Sequence, residues 1–138
     1  MSIFVDTSAW YAAADRGDRH NQRAKLLLAT ASEPLVTSDH VLVESWRLIH
    51  HSISARAGET FWDGLRRGVA SVEQTGASDL EAAWAIGRRF PDQDFSLVDR
   101  TSFSLMQRLG ISKVITFAHD FAVFRYGRDL RLAFDVLR

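Results

Sequence analysis

Short, wholly apolar runs alternate with longer amphipathic stretches along this chain. Ile3-Phe4-Val5 is a run of three apolar residues ended by Asp6. That is the pattern of a central parallel strand, covered on both faces. Pro34-Leu35-Val36-Thr37, Gly68-Val69-Ala70-Ser71-Val72 and Lys113-Val114-Ile115-Thr116-Phe117, mainly apolar runs, also read as strands, and a fifth falls near 131–136. The intervening apolar spacing predicts helices. One starts about Ser8, with Asp6, Thr7 or Ser8 as its cap. Others cover 19–31, Ser38 or Asp39 to about Ser52, 56–68, and 78–90, the last stopping before Pro91. A further helix runs from Ser96 to Leu109 and is closed by Gly110. No linker, repeat or low-complexity segment interrupts the series. Strands alternating with helices imply βαβ units. The expected fold is therefore α/β: one domain over 1–138, a three-layer α/β/α sandwich with a central parallel sheet. In such sheets, sites form beyond the carboxyl ends of strands, where the strand order reverses.

Several acids fall at those ends. Asp6 ends the first strand, where it also reads as a helix N-cap. Glu44 lies at the edge of an apolar arc made by Val41, Leu42, Trp46, Leu48 and Ile49, where a solvated glutamate is the plainer reading. Asp99 projects between Phe103 and Met106, inside the apolar face of its helix. A carboxylate is rarely buried there unless it is paired, hydrogen-bonded or metal-bound. The alternative is a capping box, Ser96-x-x-Asp99, although such boxes prefer Glu or Gln. Asp94 reads as a loop residue. Asp120 follows the fourth strand and reads either as a site acid or as the cap of a short helix. Taken together, carboxylates from separate elements converge on one end of a sheet, and cations relieve their repulsion. The chain has no cysteine. Oxygen-only ligands favour Mg²⁺ or Mn²⁺, and such ions serve phosphodiester hydrolysis.

Composition narrows the classes. At 138 residues the chain is long enough for one core, and its net charge is zero. A neutral protein has no general electrostatic hold on nucleic acid. The charge is uneven, however: residues 1–99 carry 10 basic against 14 acidic side chains, and residues 100–138 carry 7 against 3. A basic surface beside an acidic pocket suits a polyanion handled through metal ions. No apolar run approaches the length of a membrane span, and an acid at position 6 does not fit a signal peptide. The expected location is the cytoplasm, with no membrane partner.

The segments Ile3-Phe4-Val5-Asp6-Thr7-Ser8-Ala9, Thr37-Ser38-Asp39-His40-Val41-Leu42-Val43-Glu44, Phe95-Ser96-Leu97-Val98-Asp99 and Val114-Ile115-Thr116-Phe117 with Asp120-Phe121 cover nearly the whole chain. Their order and spacing resemble the PIN-domain ribonucleases, especially the VapC toxins of bacterial toxin–antitoxin pairs. The resemblance implies a metal-dependent endoribonuclease, with Asp6, Glu44 and Asp99 as metal-site acids and a fourth near the last strand. Asp6 and Asp99 are the expected metal ligands, Asp120 the expected fourth acid, and Thr7, Ser8 and Thr116 would support the site by hydrogen bonds. It also implies an RNA substrate, often transfer RNA, and a cognate small antitoxin; a homodimer is the expected assembly. One departure stands out. Many members carry an acid at the position of Ala118, so here Asp120 fills that role or it is absent.

Two rival readings are a catalytically silent PIN-like module that binds RNA or protein, and a phosphoryl-accepting receiver domain. The second needs an acceptor Asp at the end of the third strand, where this chain reads Val72-Glu73-Gln74-Thr75. A histidine metal site fits less well, because adjacent His50 and His51 point about 100° apart on a helix. His20, His40 and His119 read as surface or capping residues. Arg88-Arg89 and Arg125, Arg128 and Arg131 read as a solvated face or as phosphate contacts. Trp10, Trp46, Trp62 and Trp84 read as core or dimer-contact residues. The substrate-binding residues are not identifiable at this level.

Overall fold

The computed structural model describes every residue, Met1–Arg138. Its elements in chain order are β1 (Ile3–Val5), α1 (Thr7–Ala14), α2 (Asn21–Thr30), β2 (Leu35–Ser38), α3 (Asp39–Ser52), α4 (Ala55–Arg66), β3 (Ser71–Glu73), α5 (Ala77–Arg89), α6 (Leu97–Leu109), β4 (Lys113–Ile115), α7 (Asp120–Val123) and β5 (Asp135–Leu137). The five strands form one sheet in the order β3-β2-β1-β4-β5, with every pairing parallel. This is the expected α/β/α architecture. No helix is long and apolar enough to cross a membrane.

Strand β1 is central because all three of its side chains are apolar and buried. From β1 the chain builds outward to β2 and β3, then returns to place β4 on β1's other side. The order therefore reverses between β1 and β4. Their carboxyl ends lie side by side, since Val5 pairs with Ile115. A crevice at such a switch point is where parallel sheets bind ligands.

Three strand boundaries differ from the sequence expectation. Gly68 does not start β3. At φ +96° it closes α4, with Gly68 N–H bonded to Leu65 O and Val69 N–H to Gly64 O, a Schellman turn. Gly110 closes α6 in the same way, as expected, through Ile111 N–H to Met106 O. Strand β4 ends at Ile115 because Phe117 N–H turns away to the Ser8 hydroxyl. Strand β5 lies later than 131–136, where Asp135 pairs with Lys113. Helix α1 starts at Thr7. Asp6 occupies its cap position but makes no side-chain cap bond, because its carboxylate is held elsewhere. Helix α3 presents Val41, Ser45 and Ile49 to the core, so Leu48 stands at the surface rather than inside the apolar arc.

Aromatic packing fixes the C-terminal half. Phe103 of α6 stacks on Phe124 at 4.2 Å and meets Phe95 and Phe121 edge-on at 5.2 and 5.0 Å. Phe134, just before β5, closes this cluster against Phe121 and Phe124. The cluster seats α7, and with it Asp120, under the end of β4.

Candidate active site

Asp6 leaves β1 at its carboxyl end and is 3% exposed. Two hydroxyls aim at one of its oxygens: Thr116, just past β4, donates to Oδ2 at 2.9 Å, and Ser8 donates at 3.1 Å. Those hydroxyls lie 3.0 Å apart and also accept backbone N–H groups, Ala118 onto Thr116 and Phe117 onto Ser8. The turn after β4 is thereby stitched to the start of α1. Burial pushes the Asp6 carboxyl above its ordinary value, the Thr116 hydrogen bond opposes that shift, and the Glu44 charge adds to it.

Glu44 comes from α3, one helix away. Thr7 Oγ1 donates to its Oε1 at 2.6 Å. The solvated-edge reading of Glu44 is therefore incomplete: the side chain is half-buried and anchored to α1.

Asp99 sits in the first turn of α6. The capping box is present, with Asp99 N–H donating to Ser96 Oγ and Ser96 N–H to Asp99 Oδ2. The box does not displace the second reading. Burial raises the Asp99 carboxyl to about 7, helped by a hydrogen bond with the Asp120 carboxyl and by the Asp6 charge. Asp120 is the first residue of α7, not its cap; His119 holds the cap position, without a side-chain bond. Asp99 thus meets Asp120 and the charge of Asp6, and Asp6 in turn feels the charge of Glu44.

Unpaired acids this close retain protons or attract cations. The donor set is carboxylate and hydroxyl oxygen throughout, which fits a hard divalent ion. No three acidic or histidine side chains close around a common point. Magnesium accepts sparse protein ligation, so one or two of these acids, Asp6 and Asp99 among them, could hold such an ion.

Neighbouring residues add features that patterning did not isolate. His20, at the start of α2, stacks on Phe117 at 4.4 Å with an interplanar angle of 8°. Its signal was hidden because the two rings are far apart in sequence. His40 touches Thr101 at 3.2 Å beside α6, while His50 packs on Trp46 within α3. Trp10 is core, whereas Trp62 and Trp84 are substantially exposed. Asp79 is buried but structural: Arg108 and Ser104 bind it at 2.8 Å. Burial alone would raise it, yet hydrogen bonds from Arg108, Gly76 N–H and Ser104 bring it down to about 2.

The PIN domain family profile matches residues 3–125. The chain is 37% identical over 120 residues to the 23S rRNA-specific endonuclease VapC20 of Mycobacterium tuberculosis, in both strain H37Rv and strain CDC 1551. That match covers 87% of this chain and 92% of the relative. The structure superposes on the crystal structure of Mycobacterium tuberculosis VapC20, a sarcin–ricin loop cleaving toxin, with a TM-score of 0.83. The superposition covers 88% of this chain and 93% of that one, at 37% identity.

Proposed function

This chain belongs to the PIN-domain family, and from that premise we propose that it is a cytoplasmic endoribonuclease, the toxin of a toxin–antitoxin pair, hydrolysing RNA with Mg²⁺ or Mn²⁺. The observation that carries the reading is the gathering of Asp6 and Asp99, with Asp120 beside Asp99, at the β1–β4 switch point, where the Ser8 and Thr116 hydroxyls hold the buried Asp6 carboxylate. A structural carboxylate is normally driven below its ordinary value by its partners, as Asp79 is. Asp99 is driven upward, first by burial and then by the neighbouring acids, with no cation of the chain to offset either, which is the mark of a site arranged for something that must arrive.

Asp6 and Asp99 are the ligand pair in this reading. A bound ion would supply positive charge against the scissile phosphate and the negative charge that develops on it. The rest falls to the chain itself. Ser8 and Thr116 fix the Asp6 carboxylate before substrate binds, so little reorganisation is left for the reaction. Thr7 occupies one Glu44 oxygen, leaving the other to accept a proton from an attacking water. Asp120 shares with Asp99 the charge that the site concentrates.

The relative's name supports large-subunit ribosomal RNA, rather than transfer RNA, as the target class. A small antitoxin offering an Arg or Lys to the acids is the expected protein partner, since a guanidinium fork complements a carboxylate cluster. An apolar groove lined by Leu42, Val43, Trp46 and Trp62, with Val43 and Trp62 exposed, supports a homodimer.

The test is cleavage of an RNA hairpin copying the sarcin–ricin loop. Wild type should cut it in Mg²⁺ or Mn²⁺ and stop in EDTA. Asp6→Asn and Asp99→Asn should each abolish cutting while retaining the native circular dichroism spectrum. Equal rates in excess EDTA would remove the metal. Tight RNA binding without any cleavage would leave a catalytically silent module.

A further inference from the structure

A groove of about 360 Å³ adjoins the acidic centre, lined by the side chains of Thr7, Glu44, Arg47 and His51 together with Leu48. Four of these five come from α3, where residues three and four apart share one face. The groove and the centre have Thr7 and Glu44 in common, so whatever lies in one reaches the edge of the other.

Glu44 and Arg47 have the helical spacing of an ion pair, yet they make none. Thr7 draws Glu44 towards α1 at 2.6 Å. The ion pairs of the protein join Asp63 to Arg66 and Arg67, Asp79 to Arg108, and Glu33 to Lys113. Arg47 is in none of them. An exposed guanidinium therefore stands free beside a concentration of negative charge, with the exposed His51 imidazole one turn further along.

This placement meets a specific need. RNA bound at four carboxylates is repelled by them, and a chain with zero net charge offers no long-range compensation. A cation next to the acids, but not neutralised by them, supplies it locally. The planar fork of Arg binds phosphate through two parallel hydrogen bonds. We propose that Arg47 and His51 form a phosphate-binding subsite, which holds an RNA phosphate neighbouring the one presented to Asp6 and Asp99. The subsite rests on the nuclease reading above and adds to it a positioning role for α3.

The test uses the sarcin–ricin hairpin RNA in two assays. Affinity is measured in the Asp99→Asn background, so that the RNA stays whole, across a series of KCl concentrations. Adding Arg47→Ala should weaken binding about tenfold, as for a lost charged hydrogen bond. It should also lower the slope of log affinity against log salt by roughly 0.7 to 0.9, one phosphate contact. Arg47→Lys should keep the slope and recover part of the affinity, because the charge remains and the fork does not. His51→Ala should give a smaller loss. In the active enzyme, Arg47→Ala should raise KM with kcat held, the signature of binding shared by ground and transition states. If wild type cleaves and Arg47→Ala matches it in affinity, slope and KM, the subsite falls and the nuclease reading stands. If wild type neither binds nor cleaves RNA, both fall. Unchanged RNA affinity, with Arg47→Ala weakening capture of a co-expressed acidic protein partner, would assign the groove to that partner and overturn the proposal.

Discussion

Ala118 and Asp120 follow the same strand, and only one of them carries a carboxyl. Ala118 N–H donates to Thr116 Oγ1 at 3.0 Å, which tightens the turn after β4 and carries the chain into α7. The turn brings Asp120 back to hydrogen-bonding reach of Asp99. Asp120→Asn should therefore slow cleavage by about 10²-fold, the scale of losing a group that acts on transition-state charge. Adding Ala118→Asp to that variant should restore part of the rate. Single-turnover cleavage at limiting Mg²⁺ checks both; full activity in Asp120→Asn would leave three acids to do the work. The residue scale is also where sequence reading reached its limit. For Asp99, capping box and site acid read in the sequence as alternatives, yet a carboxyl has two oxygens, and the box occupies one of them. Pattern alone cannot show a side chain doing both. Asp6 and its Ser8 hydroxyl are legible because the two residues nearly adjoin at the start of α1. The pairing of Ser8 with Thr116 spans 108 residues and becomes visible only once β1 and β4 are neighbours.

Among the elements, α5 and α6 show how a buried acid can be structural. Asp79 is 1% exposed and binds Arg108 and Ser104 of the facing helix, with Gly76 N–H completing its shell at 3.0 Å. Arg108→Ala would strand that carboxylate. A fully buried pair broken in this way loses about 3–5 kcal/mol; Arg108 is 43% exposed, so water recovers part of it and roughly 2 kcal/mol is expected. Urea unfolding should show it as a lower midpoint at unchanged slope, with RNA cleavage per folded molecule unaffected. A loss of activity exceeding the loss of folded protein would move Asp79 from scaffold to site. Element order and type are readable because the longer helices carry 3.6-residue periodicity and the inner strands are short and mainly apolar, β1 wholly so. The boundaries were not, because Gly68 and Ser8 end or shorten their strands through hydrogen bonds made in the folded chain. The cluster of Phe95, Phe103, Phe121, Phe124 and Phe134 is not legible in the sequence for the same reason: its members share no periodicity and meet only in three dimensions.

For the whole molecule, these two kinds of acid act on stability in opposite pH windows. Asp99 in the folded protein titrates at about 7, above its ordinary 3.8. Between those values the folded form binds more protons than the unfolded form, so stability falls as pH rises from about 4 to about 7. Asp6 is shifted in the same direction. Asp79 is shifted the other way, to about 2. Its stabilisation is present above 3.8 and is lost as pH falls from there towards 2. In EDTA, the contributions of these acids together should peak at about pH 4 to 5 and decline towards neutrality. A divalent ion reverses the second limb, because it binds the ionised acids of the folded state and stabilises it by RT ln(1 + [L]/Kd). Mg²⁺ should thus raise the unfolding temperature more at pH 8 than at pH 5. Asp99→Asn should flatten the decline in EDTA and weaken the Mg²⁺ effect at once, since one substitution removes both the strained proton site and a ligand. Differential scanning calorimetry across pH 4.5 to 8, with EDTA or Mg²⁺, reads all three. An unfolding temperature in EDTA that climbs steadily to pH 8 and ignores Asp99→Asn would mean the carboxylates are not in conflict in the folded protein, and the case for a cation site at the switch point would lose its physical basis.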